Sequence, residues 1–179
     1  DDPTAYLDRI ACLDFRYGAE KERLRMLCEL GIDGLGRMAL PDLHFPHTMR
    51  RVGSDMRAEG DNLRYAIIVA LGLAWTPEPV QRSLLNGSTA AELAQSCIER
   101  AARLREPGAV ALAAWAAAET AGVFTAELFD MLEDMLAHGR TIETVPCAWA
   151  LTAALAARHL GATDEIQDLA AQFLLEAQA

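Results

Sequence analysis

The chain has 179 residues, of which 52% are hydrophobic and only 6% aromatic, and its formal net charge at pH 7 is -10. This surplus of negative charge argues against a protein that neutralises phosphates over a broad face, so we predict no nucleic-acid partner. The hydrophobic residues are mainly alanine and leucine, which favour helices over strands.

Several classes of site are not indicated by the sequence. No run of about twenty apolar residues occurs and the start, "DDPTAYLDRI", has no leader pattern, so we predict no membrane partner and a cytoplasmic location. We expect the scattered cysteines to be small buried residues in a reducing compartment: Cys12, Cys28, Cys97 and Cys147. His44 and His47 share a His-x-x-His spacing, but in a loop with two prolines. We therefore predict no metal and no cofactor.

In chain order, residues 1–40 are predicted to form a helical pair from "TAYLDRIACLDFRYG" and "AEKERLRMLCELGIDGLGRMAL". Residues 41–60 are predicted to be a long polar loop, because prolines, glycines and charged residues interrupt every apolar pattern. Helical-hairpin repeats follow over 61–179. The whole chain is thus expected to be one all-α domain without strands.

The repeat is clearest in two alanine-rich segments. Residues 107–122, "PGAVALAAWAAAETAG", align without a gap with residues 146–161, "PCAWALTAALAARHLG", and the similarity continues into "TAELFDML" from Thr125 and "TDEIQDLA" from Thr163. Proline at the start and glycine at the end are helix start and stop signals. A weaker copy begins with "NLRYAIIVALGLAW" at 62–75, and Thr89 with Glu92 predicts a capping box before the next helix. The repeating unit is therefore a helical hairpin.

The two helices of each hairpin differ in character. Predicted helices 62–75, 107–121 and 146–159 are apolar on all sides and should lie in an inner layer, whereas 126–137 and 164–178 carry acidic residues on one face and should lie outside. Polar connections precede the inner helices, whose free N–H groups attract anions. A site is therefore expected at the N-terminal ends of the inner helices.

These hairpins, from "NLRYAIIVALGLAW" to the two Pro…Gly helices, resemble over residues 60–179 the α/α-toroid architecture of terpenoid cyclases, protein prenyltransferases and six-hairpin carbohydrate enzymes. The resemblance implies an all-α array of about four antiparallel helical hairpins that forms a partial or open α/α toroid. It rests on the hairpin pattern and includes no catalytic motif, and such folds carry unrelated chemistries.

The candidate ligand-binding residues share a position at or near the inner helices. They are His47, Arg51, Asp61, Asn62, Arg64, Tyr65, Trp115 and Trp149. Arginines could clamp a carboxylate or phosphate, and tryptophans could line an apolar or sugar-stacking cavity. Alternatively, acidic residues such as Glu106 and Glu143 stabilise helix starts and pair with the arginines, while the tryptophans fill gaps left by alanines. Arg64 could also pair locally with Asp61.

Two functions follow from these alternatives. The first is a small-molecule-binding or catalytic domain that holds an anionic or sugar-like ligand at the inner-helix starts. The second is a helical-repeat module that binds a protein partner or assembles into a homo-oligomer without catalysis. A deep pocket lined by Arg64, Tyr65, Trp115 and Trp149 would favour the first function, and packed inner helices with an open face would favour the second. The sequence does not decide whether the chain is an enzyme.

Overall fold

The computed structural model describes residues 18–138 and 142–177. Within these ranges it contains eight helices and one two-stranded sheet, so the prediction of a mostly helical protein is confirmed. The first predicted helix, "TAYLDRIACLDFRYG", ends at Gly18 and lies outside the described residues except for that glycine. The described residues form two compact units, one of 18–61 and 75–89 and one of 62–74 and 90–177.

The first unit contains two helices and the sheet. Its elements are α1 (Gly18–Met38), β1 (Thr48–Val52), β2 (Asp55–Glu59) and α3 (Glu78–Leu84). Helix α3 packs against α1, and Leu84 lies beside Gly36 at the contact. Most of α1 is exposed, including Leu24, Leu27 and Leu30.

The β-hairpin corrects the prediction that residues 41–60 contain no strand. Strands β1 and β2 pair antiparallel from Thr48 opposite Glu59 to Val52 opposite Asp55, and Gly53 takes a positive φ of 67° in the two-residue turn. Glycine suits the first position of such a turn. No side chain of either strand is buried and most are exposed, so no buried face imposes the alternating apolar pattern that identifies a strand in a sequence.

The second unit is a two-layered array of helices. Its elements are α2 (Leu63–Leu73), α4 (Ala90–Leu104), α5 (Pro107–Ala121), α6 (Ala126–His138), α7 (Thr144–Ala157) and α8 (Asp164–Glu176). Helices α2, α5 and α7, the predicted inner helices, form one layer, in which α5 contacts both of the others, and we call it the inner layer. Helices α4, α6 and α8 form the outer layer, and α5 also packs against α4 and α6. Helix α5 therefore has neighbours from both layers.

The composition of α5 explains how it can touch so many helices. Apart from Trp115, every residue from Gly108 to Ala118 is buried, and most of them are alanine. A methyl side chain lets neighbouring backbones approach closely and loses no side-chain entropy when it is buried. The alanines predicted to mark inner helices thus occupy the centre of the array.

The predicted helix ends are confirmed more closely for α5 than for α7. Pro107 is the first residue of α5, and Gly122 closes it in the left-handed conformation with φ of 62°. Helix α7 begins earlier, at Thr144, and ends before Gly161, which has no positive φ. Gly161 instead leaves room for Phe124, because a Cβ atom there would lie 2.6 Å from the Phe124 ring. The matched glycines of the two repeats therefore have different roles.

Three of the four cysteines lie within the described residues. Cys97 and Cys147 are buried as predicted, but the prediction is wrong for Cys28, which is exposed on α1. Burial raises the pKa of the Cys147 thiol, whose Sγ lies 3.4 Å from the carbonyl oxygen of Ala170. Cys28 differs because the part of α1 around it is exposed along its length.

A substitution in α5 tests this packing. Ala113 is completely buried, and we expect Ala113→Leu to lower the free energy of unfolding by about 1–3 kcal/mol because the added atoms force neighbouring helices apart. Ala137→Leu, at an exposed position of α6, is the control and should change stability by less than about 0.5 kcal/mol. Equal effects of the two substitutions in urea unfolding would contradict the packing described for α5.

Candidate functional site

The starts of the inner helices α2 and α5 are joined by a two-pronged ion pair. Arg64, in the first turn of α2, donates from Nε to Glu106 Oε2 at 2.9 Å, and its Nη2 lies 2.6 Å from Glu106 Oε1. The two parallel contacts match the planar guanidinium to the planar carboxylate. This pair fixes the orientation of Arg64 at the point where the sequence predicts a ligand.

Glu106 also caps α5. Its Oε1 accepts a hydrogen bond from the Gly108 N–H, and its Oε2 accepts one from the Ala109 N–H, both at 2.9 Å. Pro107 has no N–H, so these two groups are the first donors of the helix. One carboxylate therefore accepts hydrogen bonds from the first N–H groups of α5 and from the arginine.

Trp149 of α7 completes the cluster. The Arg64 Cζ atom lies 5.9 Å from the centre of the Trp149 ring, within the range of a cation–π contact. Gly108 makes this approach feasible, because a Cβ atom there would lie 3.1 Å from Trp149 Cζ3 and 3.3 Å from Arg64 Cζ. The starts of all three inner helices thus meet around a glycine.

The electrostatics of the cluster favour the charged pair. Burial alone would raise the pKa of Glu106, but hydrogen bonds from Arg64, Gly108 and Ala109 outweigh burial and lower it. The hydrogen bond to Glu106 raises the pKa of Arg64, burial opposes this change, and the charges of Glu106 and Glu143 reinforce it. Both groups are therefore ionised at neutral pH.

This arrangement directs several of the donors at the helix starts to Glu106. The Nε and Nη2 groups of Arg64 and the first free N–H groups of α5 are directed at Glu106. The charge of the arginine and the positive end of the helix dipole are both balanced by the same carboxylate. For Arg64 and Glu106, the structure confirms the alternative in which an acidic residue stabilises a helix start and pairs with an arginine.

One side of the inner layer carries the predicted residue Trp115 and, beside the predicted residues, Ile68. Trp115 lies seven residues after Gly108, on the same face of α5, and is partly exposed, as is Trp149. Ile68 lies one turn after Arg64 on α2 and is 47% exposed. We call the side defined by Arg64, Ile68, Gly108, Trp115 and Trp149 the inner face. Tyr65, a half-exposed neighbour of Arg64, borders it, and Asn62 caps α2 by accepting a hydrogen bond from the Tyr65 N–H.

The remaining predicted residues belong to the first unit. Asp61 lies 2.8 Å from His44 Nδ1, and the His47 N–H donates to the carbonyl of Glu59 at 3.0 Å. Arg51 is exposed on β1. The eight predicted residues are therefore divided between the units, three in the first and five in the second.

Two residues of the cluster, Glu106 and Gly108, have larger roles than the sequence predicts. Glu106 was expected only as one of several residues that stabilise helix starts, and Gly108 was not singled out. The signal for both is the order Glu-Pro-Gly at 106–108, an acidic cap before a proline at the first helical position. The need for glycine at 108 arises from contacts with two other helices, which the local sequence does not contain.

Two open grooves lie elsewhere in the second unit and include none of the predicted residues. The larger, of about 380 Å³, is lined by Arg105, Glu127, Asp130, Met131 and Asp134. The smaller, of about 230 Å³, is lined by Asp130, Glu133, Asp134, Ala137 and His138.

Across the described ranges, no group of three or more His, Cys, Asp or Glu side chains is arranged to hold a metal ion. None of the helices described is both long and apolar enough to cross a membrane.

The first prediction for the site concerns Glu106. Because its pKa is lowered on folding, its contribution to stability is complete above the unfolded pKa and is lost as the pH falls through the folded pKa. We expect Glu106→Gln to lower the free energy of unfolding at pH 7 by about 1–2 kcal/mol. The difference from the unsubstituted protein should shrink as the pH falls below the range in which an ordinary glutamate side chain titrates. Glu99→Gln, at an exposed position of α4, is the control and should show neither effect.

The second prediction concerns Gly108. Alanine normally favours a helix over glycine, but here its Cβ atom would press on Arg64 and Trp149. We expect Gly108→Ala to cost about 1 kcal/mol more in the unsubstituted protein than in an Arg64→Ala background, as measured by urea unfolding. Equal costs in the two backgrounds would show that the guanidinium does not occupy this position.

None of the protein-family models, curated proteins or solved structures compared with this chain matches it.

Proposed function

We propose that the second unit is a helical-repeat interaction module that binds a segment of another protein on its inner face. The observation that carries the proposal is the Arg64–Glu106 pair, with distances of 2.9 and 2.6 Å. This pair balances the positive charge that an anionic small molecule would use. The inner face then offers mainly aromatic and aliphatic contacts.

The exposed side chains of this region suit a protein segment. Ile68 and Tyr65 are 47% and 46% exposed, and Trp115 and Trp149 are partly exposed. Tryptophan, tyrosine and arginine are the residues that most often dominate binding energy at protein interfaces. Trp149 is held by Arg64 and Gly108, so it loses little freedom when a partner binds.

The packing of the inner layer supports the same class of function. Alanines fill the space between α5 and its neighbours, and every residue of α5 from Gly108 to Ala114 is buried. A small-molecule pocket normally encloses most of its ligand. A face that lies over tightly packed helices is better matched to an extended or helical partner, as in other solenoids.

A partial or open α/α toroid is part of this proposal. Its support is the alternation of inner helices α2, α5 and α7 with outer helices α4, α6 and α8. In such an arrangement the inner face would be the concave side of the array. The competing function, an anionic or sugar-like ligand at the inner-helix starts, would have to use the Arg64 N–H groups that Glu106 does not accept, or displace Glu106.

A thermal-shift screen distinguishes these functions, since a ligand that binds only the native state raises its melting temperature. The panel would contain inorganic phosphate, phosphorylated sugars and synthetic peptides with leucine, phenylalanine and tryptophan at helical spacing. We expect peptides, and not phosphate or sugars, to raise the melting temperature. Ile68→Asp should then raise the dissociation constant of the peptide by at least about tenfold.

Leu104→Asp is the matched control, because Leu104 is also an exposed aliphatic residue, at 59%, but lies on the outer helix α4. It should leave the peptide affinity unchanged. A rise in melting temperature with phosphate or a phosphorylated sugar that is abolished by Arg64→Ala would overturn the proposal and support the small-molecule function.

A further inference from the structure

Glu119 is the one charged residue of helix α5, between Pro107 and Ala121. It lies eleven residues after Gly108 and four after Trp115, and these spacings place the three residues on the same side of the helix. Its side chain is exposed, whereas the alanines on either side of Trp115 are buried. Helix α5 therefore places a carboxylate beside the inner face, at the opposite end of the helix from its start.

The position of Glu119 is unfavourable for α5 itself. The residue lies in the last turn of the helix, where the negative end of the helix dipole repels an anion, and that turn has no basic residue. Among the residues that the structure describes, the Glu119 carboxylate forms no hydrogen bond and no ion pair. A charge that breaks a local rule without compensation from the fold is typical of a functional position.

The two arginines at the ends of the inner helices do not compensate Glu119. Arg64 lies at the start of α2, where Glu106 binds it. Arg158 aligns with Glu119 in the two alanine-rich segments, but it lies nine residues after Trp149 and therefore on the opposite side of α7 from the inner face. A cation that pairs with Glu119 must come from outside the described ranges.

We propose that the protein segment bound on the inner face carries a lysine or arginine that pairs with Glu119. This inference rests on the proposed function and adds the charge of the partner to it. Glu119 lies about 6 Å further along α5 than Trp115. In a helical partner, the basic residue would therefore lie one turn from the apolar residue that contacts Trp115.

The inner face is open beyond Ile68 and Trp115. Gly72, one turn after Ile68 on α2, is exposed, and a Cβ atom there would meet no atom of another helix within 4 Å. Lysine and arginine can lay their aliphatic stems on an apolar surface while the charged head stays in water. An incoming basic side chain thus has room to reach the exposed Glu119 carboxylate.

The first experiment compares three peptides that share leucine, phenylalanine and tryptophan at helical spacing. They differ at one position, four residues from the central tryptophan, which is lysine, glutamine or glutamate. We expect the lysine peptide to bind the 179-residue chain about three- to fivefold more tightly than the glutamine peptide at low salt, as measured by isothermal titration calorimetry. The glutamate peptide should have the highest dissociation constant of the three.

Variants of the protein assign this preference to one carboxylate. Glu119→Gln should remove the preference for lysine and change the dissociation constant of the glutamine peptide by less than about twofold. Glu119→Lys should reverse the preference, so that the glutamate peptide binds best. Glu99→Gln is the matched control, because Glu99 is exposed on the outer helix α4 and its loss changes the net charge of the chain equally. This control should keep the preference for lysine.

A second measurement needs no peptide. Because Glu119 has no partner among the described residues and lies at the negative end of the helix dipole, Glu119→Gln should leave the melting temperature of the free chain unchanged or raise it. A fall of more than about 2 °C would show that the carboxylate stabilises the chain itself, and would overturn the inference.

The results with peptides separate this inference from the proposed function. Equal binding of the three peptides would overturn the inference and leave the proposed function intact. A loss of the lysine preference in Glu99→Gln as complete as in Glu119→Gln would do the same, because the preference would then reflect only the net charge. Binding of none of the three peptides would overturn the proposed function, and this inference with it.

Discussion

The architecture of the second unit depends on the close approach of four helices to α5. Alanine allows that approach, because side chains of one carbon atom let the backbones of α2, α4, α6 and α7 come near the same helix. The same constraint brings the starts of the inner helices together around Gly108. Arg64, Glu106 and Trp149 are therefore held in contact by the packing as well as by their own chemistry.

The contact between Arg64 and Glu106 changes which groups the N–H donors at the helix starts bind. Free N–H groups and an arginine at such a position would normally attract an anion. Here Glu106 accepts hydrogen bonds from both sources, and its lowered pKa keeps it charged at neutral pH. The polar atoms stabilise the array, and the Trp149 ring lies beside them.

Much of this fold could be predicted from the sequence. The proline and glycine signals gave the bounds of α5, and the two helical patterns distinguished inner from outer helices. The β-hairpin was missed because its strands are exposed and lack an apolar face. Arg64 and Trp149 are in contact, but the partner of Arg64 was not predicted. Glu106 is 42 residues from Arg64, and only the packing of α2 against α5 joins them.

The most direct test of this account is a double-mutant cycle on Arg64 and Glu106 measured by urea unfolding. We expect Arg64→Ala, Glu106→Ala and the double variant to give a coupling energy of about 1–2 kcal/mol. The Arg64 side chain is 42% exposed, so solvent screening keeps this value below that of a fully buried pair. A coupling energy below about 0.3 kcal/mol would show that the two groups act independently. Arg64 would then be free to bind a ligand, which would contradict the pairing of Arg64 with Glu106 at the helix starts.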